Sequence, residues 1–317
     1  MLLDPQQLET DQALLQLGKR LWADGYRFTC VSPATHARVI ARHAGEPAST
    51  LRDVFGWSRP FAPALICADE LEQLQRAQVL TAHTQLLRSN VRWSNYEDLL
   101  LVHSAYPTEA SDAVFFGPDS YRFAQVIQAH LQRTPQPVEH AVDIGCGTGI
   151  GALLIARAAP HAQVSAVDIN PLALRYTAIN AALAGVSNVS VEPSDLLQGI
   201  TGTFDLIVAN PPYMLDVGER TYRHGGGALG AELSLRIVEQ ACERLTTGGS
   251  LLLYTGVAIV EGRDALLDAI RLRLAGPQWA WVYREIDPDV FGEQLSEPGY
   301  QQVERIAAVA LTVTRSR

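Results

Sequence analysis

At 317 residues, 47% hydrophobic and 19% charged, the chain has room for roughly two domains, and no apolar run reaches the length of a membrane span. The net charge of −9 counts against a protein that holds nucleic acid by broad phosphate neutralisation. Four scattered cysteines (Cys30, Cys67, Cys146, Cys242) and a start without basic or apolar leader features predict a reduced, cytoplasmic setting with no zinc site and no signal peptide.

Residues 1–110 read as mostly helical. Leu8, Leu14, Leu15, Leu17, Leu21 and Trp22 share one broad face of a helix over Gln7–Trp22, with Gly25 as its stop. Ser32 or Thr35 is placed to cap a second helix through His43, and Asp69 to start a third carrying Leu71, Leu74, Val79 and Leu86. His36, His43 and His83 have no partners at metal spacing and are read as surface or packing residues. This segment is expected to be an accessory or substrate-recognition domain. At its end, Leu99–His103 and Ala113–Phe116 are apolar runs separated by Pro107, a pattern that predicts a hairpin linker. A second unit, 111–317, follows. Gly117–Ser120 opens a helix to about Arg133, and residues 134–137 break it.

The next stretch is Ala141-Val-Asp-Ile-Gly-Cys-Gly-Thr-Gly-Ile-Gly151. A strand ends in Asp143, and a glycine-rich turn leads into a helix from Ala152, so that backbone N–H groups at the helix start face a ligand. Val164–Asp168 is a second strand with an acid at its tip, placed to take two ribose hydroxyls. Asn170-Pro171 starts another helix, closed by Gly185, and Val189–Val191 is a third strand before Ser194-Asp195-Leu196. Strand, helix, strand, helix, strand points to an α/β, doubly wound parallel sheet. The acid Asp143 at the turn suits a ligand with a positive charge there, which a nicotinamide dinucleotide lacks.

Asp205–Met214 carries the second motif. Asp205–Ala209 is a short buried strand, and Asn210-Pro211-Pro212-Tyr213 stops it, because proline has no N–H for the ladder. The residue before a proline is held extended, so Asn210 sits at the carboxyl end of the strand, where ligands bind in open α/β sheets. A carboxamide, free carbonyls and an aromatic face converge there on a volume suited to a planar nitrogen bearing hydrogens.

Together, Asp143–Gly149, Asp168, Asp195 and Asn210–Tyr213 resemble the class I S-adenosylmethionine-dependent methyltransferases of the amino-methylating branch. The likeness is greatest to the protein-glutamine N5-methyltransferases that modify translation release factors. Arg223–Gly230 resembles their glycine-rich segment; Phe116–Tyr121 stands where they usually carry an Arg-Pro-containing stretch. The resemblance implies a Rossmann-like seven-stranded sheet over about 111–315, with Ser250–Tyr254 as strand five, Gly262–Leu274 as a helix, and Trp279–Glu285 with Ile306–Thr314 as a terminal antiparallel pair. The loop 286–303, which carries Asp287, Pro288, Asp289 and Phe291, is expected to be solvated, with closure over the substrate as the alternative. The implied cofactor is S-adenosylmethionine, held by Gly145, Gly147 and Gly149 through close backbone approach, with Cys146 in the same turn for its size, and by Asp143 at the methionine amino group, directly or through water. Asp168 takes the ribose, Ile169 the adenine face and Asp195 the adenine amine, with Asn170, Leu196 and Asn210 beside them. Asn210 and Pro211 are the expected acceptors of the substrate's N–H groups, Pro212 shapes the slot, and Tyr213 stacks on the acceptor. The expected acceptor is a protein glutamine, with an exocyclic amine of a nucleobase in RNA or DNA as the alternative. No metal and no membrane partner is expected.

Overall fold

The computed structural model describes residues 4–133, 136–215, 225–226 and 228–316. The first helix, α1 (Pro5–Ala23), starts where the Asp4 side chain accepts from the Gln6 N–H, and proline stands at its first position. α2 (Pro33–Ala41) is capped by Ser32 and α3 (Leu51–Phe55) by a Thr50–Asp53 capping box. α4 (Ala68–Arg76) ends sooner than its apolar spacing predicts. Gln78 takes φ 56°, and the Val79 N–H reaches back to the Leu74 carbonyl at 2.9 Å. This is a left-handed stop made without glycine, so the sequence does not announce it.

Two hairpins follow instead of more helix. β1 (Leu80–His83) pairs with β2 (Leu86–Ser89), and β3 (Val91–Tyr96) with β4 (Leu99–Ser104). The expected strand Leu99–His103 therefore exists, but its partner is β3. Residues Ala113–Phe116 are not a strand; they meet β4 where the Ser104 N–H donates to the Val114 carbonyl and the Val114 N–H to the Ser104 hydroxyl, and where the Phe116 ring packs on His103.

α5 (Pro118–Arg133) leads into a layered α/β unit. Its elements are β5 (His140–Ile144), α6 (Ile150–Ala158), β6 (Gln163–Asp168), α7 (Pro171–Ala184), β7 (Val189–Pro193), β8 (Phe204–Ala209), α8 (Glu232–Arg244) and β9 (Leu245–Val260). After these come the two-residue β10 (Arg263–Asp264), α9 (Ala265–Arg273), β11 (Trp279–Asp287) and β12 (Arg305–Arg315). The sheet runs β11-β12-β9-β8-β5-β6-β7, with β10 paired to β9. β5, β6, β7, β8 and β9 are parallel, whereas β12 runs antiparallel to both β9 and β11. This is the order expected of a Rossmann-like class I methyltransferase sheet, and the terminal antiparallel pair lies where the resemblance put it. The chain order across the sheet reverses between β5 and β8, so the crevice past their carboxyl ends is the natural ligand position.

Alternation along the strands splits the core in two. Val142, Ile144, Ile207, Leu251 and Leu253 pack on the α8–α9 side. Ala141, Leu206, Val208, Leu252 and Tyr254 pack on the other, in a core continuous with the amino-terminal helices and hairpins. The contact between α1 and α7 depends on Gly18, where a Cβ would come 2.7 Å from the Trp93 ring and 2.9 Å from Leu183. The Asn180 carboxamide on α7 accepts from the Val102 N–H of β4 and donates to the Thr148 carbonyl, and Arg175 pairs with Asp11 at 2.6 Å. The amino-terminal region is thus bonded directly to the helix that follows β6.

Candidate active site

A cavity of about 420 Å³ opens past the carboxyl ends of β5, β6 and β8. Its floor is the glycine turn after β5. Gly145 and Gly147 take φ 66° and 54°, which only glycine adopts without strain. The turn is pinned from behind by the Gly145 and Cys146 N–H groups, which donate to the Val167 carbonyl at 2.8 and 3.0 Å. It is pinned from the side by Asp168, whose Oδ2 accepts from the Gly147 N–H at 3.1 Å while Oδ1 accepts from Asn170 N–H at 2.9 Å. One carboxylate therefore ties two loops together at the cavity edge, and burial pushes its pKa up.

Among the residues expected at the site, Gly145, Cys146, Gly147, Asp168, Ile169, Asn170, Asp195, Leu196 and Asn210–Tyr213 all line this cavity. Asp143 and Gly149 do not; they stand behind the turn. Asp143 is 1% exposed, and its Oδ2 accepts from the Ala152 N–H at 2.9 Å, bracing the start of α6. A Cβ at Gly151 would meet that oxygen at 2.7 Å, which explains the glycine there. Asp143 Oδ1 has no hydrogen-bond partner among the described residues, and burial raises the carboxyl to about 8. Gly149 is the left-handed cap of α6 and packs on Thr177. Asn170 keeps its cap, accepting from the Leu172 N–H, and donates to the Asp112 carbonyl, so it reaches the cavity as a strut.

The walls match a nucleoside. Ile169 is 61% exposed, an apolar side chain left open at the cavity beside a carboxylate suited to a diol. Asp195 is exposed at the rim and pairs with Arg236 at 3.3 Å. At the other end Asn210 closes β8, and among the described residues nothing takes up its carboxamide. Pro211 and Pro212 follow without N–H donors, so this corner presents acceptors.

Tyr213 differs from expectation in being buried and engaged. Its hydroxyl donates to Asp119 at 2.5 Å, and Phe291 meets its ring edge-on, with centroids 6.1 Å apart. Of the glycine-rich segment, Arg223, His224 and Gly227 lie outside the described residues. Gly225 and Gly230 close directly on Tyr213: a Cβ at either would come 2.7 Å from its Cα or 2.2 Å from its carbonyl oxygen.

Many wall residues were not foreseen, Tyr106, Phe115, Asp119 and Phe123 among them. Phe291 comes from the loop after β11 and lines the wall, which favours the alternative reading of that loop over a solvated one; Val290, Gln294 and Tyr300 are buried, and the Tyr300 hydroxyl accepts from the Leu215 N–H at 2.8 Å. Asp119, read only as part of a helix start, is 5% exposed in the wall. A tyrosine hydroxyl in a buried turn requires a partner, which was the available signal, but that partner lies 94 residues away in sequence.

Residues 122–260 match the family model of the methyltransferase small domain. The release factor glutamine methyltransferase of Deinococcus radiodurans is 35% identical over 187 residues, 56% of this chain and 63% of that protein. The ribosomal protein uL3 glutamine methyltransferase of Neisseria meningitidis serogroup A is 34% identical over 140 residues, 41% of this chain and 45% of that protein. The chain thus spans from under half to under two thirds of the length of these relatives. Among solved structures, wild-type Trm5b of Pyrococcus abyssi superposes with a TM-score of 0.50 at 20% identity, covering 75% of this chain and 62% of that one, a likeness of fold alone.

Proposed function

We propose that the chain, whose residues 122–260 match the methyltransferase small domain, transfers a methyl group from S-adenosylmethionine to a planar amide or amine nitrogen, with a protein glutamine side chain as acceptor. The observation that carries the proposal is the Asn210 carboxamide, left without a partner among the described residues, beside the Pro211 carbonyl at the end of a cavity whose other walls suit a nucleoside. S-adenosylmethionine bound there would supply a sulfonium methyl, which a nitrogen lone pair takes readily because the C–S bond electrons leave on sulfur as the neutral thioether of S-adenosylhomocysteine. Gly145 and Gly147 allow close backbone approach, Asp168 accepts from the ribose hydroxyls, Ile169 covers the adenine and Asp195 accepts from its amine. Asp143 acts from behind the turn, holding α6 in place and setting a buried carboxyl near the cofactor's amino end.

The chemical obstacle is the acceptor, whose lone pair is delocalised. Asn210 Oδ1 and the Pro211 carbonyl accept its two N–H groups, which favours a pyramidal nitrogen and stabilises positive charge as it develops. The methylated nitrogen is acidic, so it loses its proton to these surroundings or to water without a dedicated base.

Charge favours a protein acceptor over nucleic acid. The cavity lining includes Glu109, Asp119, Asp168 and Asp195 and no lysine, arginine or histidine among the described residues. An acceptor that carries phosphates needs the opposite. The two relatives named for glutamine methylation support the same class, and a component of the translation apparatus is the partner to seek first.

The test is label transfer. Purified protein and methyl-labelled S-adenosylmethionine are added to an extract from cells lacking the enzyme, and portions are treated with protease or ribonuclease. Label lost only to protease, and placed on glutamine by peptide mass analysis, is the expected result. Label lost only to ribonuclease would replace the glutamine with a nucleobase amine.

A further inference from the structure

We infer that Asp119 is the positioning residue of the acceptor wall, clamping the Tyr213 hydroxyl and so locking the Asn-Pro-Pro-Tyr turn to α5 and β9. Its consequence for turnover rests on the methyl-transfer reading above; the clamp itself does not. The buried carboxylate accepts from three donors on three elements. Tyr213 donates to Oδ2 at 2.5 Å, and Tyr254 of β9 to Oδ1 at 2.8 Å. Arg122, one turn along α5, reaches Oδ1 at 3.3 Å and with its other nitrogen holds Asp287, at the end of β11, at 2.7 Å.

A carboxylate in the core is costly unless its lone pairs are taken up, and hydrogen bonds to an ionised acceptor are the strong ones. Here every donor also has a position to hold, and the remaining neighbours leave the Tyr213 ring no alternative place. A Cβ at Gly256 would stand 2.2 Å from its Cε2, so the ring lies flat on bare backbone of β9, with Phe291 at its edge. Gly225 and Gly230 close on its main chain. Among the described residues, the hydroxyl bond to Asp119 is the directional constraint on the ring in this packing. With the ring fixed, Pro211 and Asn210 upstream are presented to the cavity in one geometry.

The experiment compares full-length wild type with Asp119→Asn, Tyr213→Phe, the double variant and Tyr254→Phe. It reads the ¹³Cζ resonance of Tyr213 in tyrosine-labelled protein, the Kd for S-adenosylhomocysteine by calorimetry, and kcat and KM with the acceptor found by label transfer. Asp119→Asn is expected to move or broaden the Tyr213 resonance and to lower kcat about tenfold, the loss of one directed hydrogen bond, with the Kd within about twofold. Tyr213→Phe is expected to lower kcat as much, the double variant no further, and Tyr254→Phe to leave the Tyr213 resonance in place. An unmoved resonance in Asp119→Asn, or additive losses in the double variant, overturns the inference. Should Asp119→Asn fail to fold, Tyr213→Phe decides: unchanged kcat overturns it. If wild type labels no acceptor, the methyl-transfer reading falls, and the resonance still decides the clamp.

Discussion

Asn210 and Asp168 stand at opposite ends of one cavity and are expected to fail differently. Asn210→Ala removes an acceptor needed as charge develops on the nitrogen, so turnover falls by about two powers of ten while S-adenosylhomocysteine binding by calorimetry stays near wild type. Parallel losses of binding and turnover would remove Asn210 from the role given to it. Asp168→Ala reverses the order, weakening cofactor affinity first. The same carboxylate also holds Gly147 and Asn170, so its loss loosens the glycine turn as well as the ribose contact. Bystanders are equally defined at this scale: Cys146 is buried, and burial pushes its thiol well up, which fits a small turn residue and no nucleophile.

At the scale of elements, β9 is a support surface as well as a strand. Its Gly256 lets the Tyr213 ring rest on the backbone, and its Tyr254 shares Asp119. Gly256→Ala is expected to displace that ring and to cost activity well beyond its effect on melting temperature, because the added methyl meets side-chain atoms of the acceptor wall and no core contact is lost. Full activity in Gly256→Ala would show that the ring position is unimportant. The hairpin β3–β4 has a comparable role on the amino-terminal side. Trp93 is fully buried and its ring packs on Gly18 of α1, so Trp93→Ala is expected to destabilise by about 3–5 kcal/mol in urea unfolding. If residues 4–110 were a loosely attached module, that change would leave the melting of 111–316 untouched.

The whole molecule carries two opposed sets of buried titrating groups. His36 is fully buried against Trp57 and Tyr106, and burial lowers its pKa to about 4; His103, also buried, is lowered as well. The unfolded chain takes up these protons near the ordinary 6.5 and the native state does not, so their contribution is lost as pH falls from about 6.5 toward 4. Asp143 acts in the other sense. Its native carboxyl keeps a proton up to about 8, whereas the unfolded chain releases it near 4, so its contribution is lost as pH rises through that interval. Above pH 6.5 the histidines no longer matter, and ligand-free protein is expected to lose stability toward pH 8, by at most about 1.4 kcal/mol per pH unit from this group. Asp143→Asn should flatten that slope in a series of urea melts; an unchanged slope would assign it elsewhere.

The glycine turn, the acid-tipped strands and Asn210-Pro-Pro-Tyr213 were legible in the sequence because each is a local necessity. Glycine is needed where φ is positive, proline ends a ladder, and alternating apolar residues declare a strand. The doubly wound parallel sheet and part of the cavity lining followed from them. The stop of α4 was not legible, since Gln78 adopts a left-handed conformation that its identity does not require. Nor was the pairing of β4 with β3, which depends on where the hairpin turns. Tertiary structure alone set Asp143 behind the turn, brought Phe291 into the wall, and joined Asp119 to Tyr213. Those are contacts between distant segments, chosen by which buried hydroxyls and carboxylates find each other once the core closes, and a local pattern holds no record of that choice.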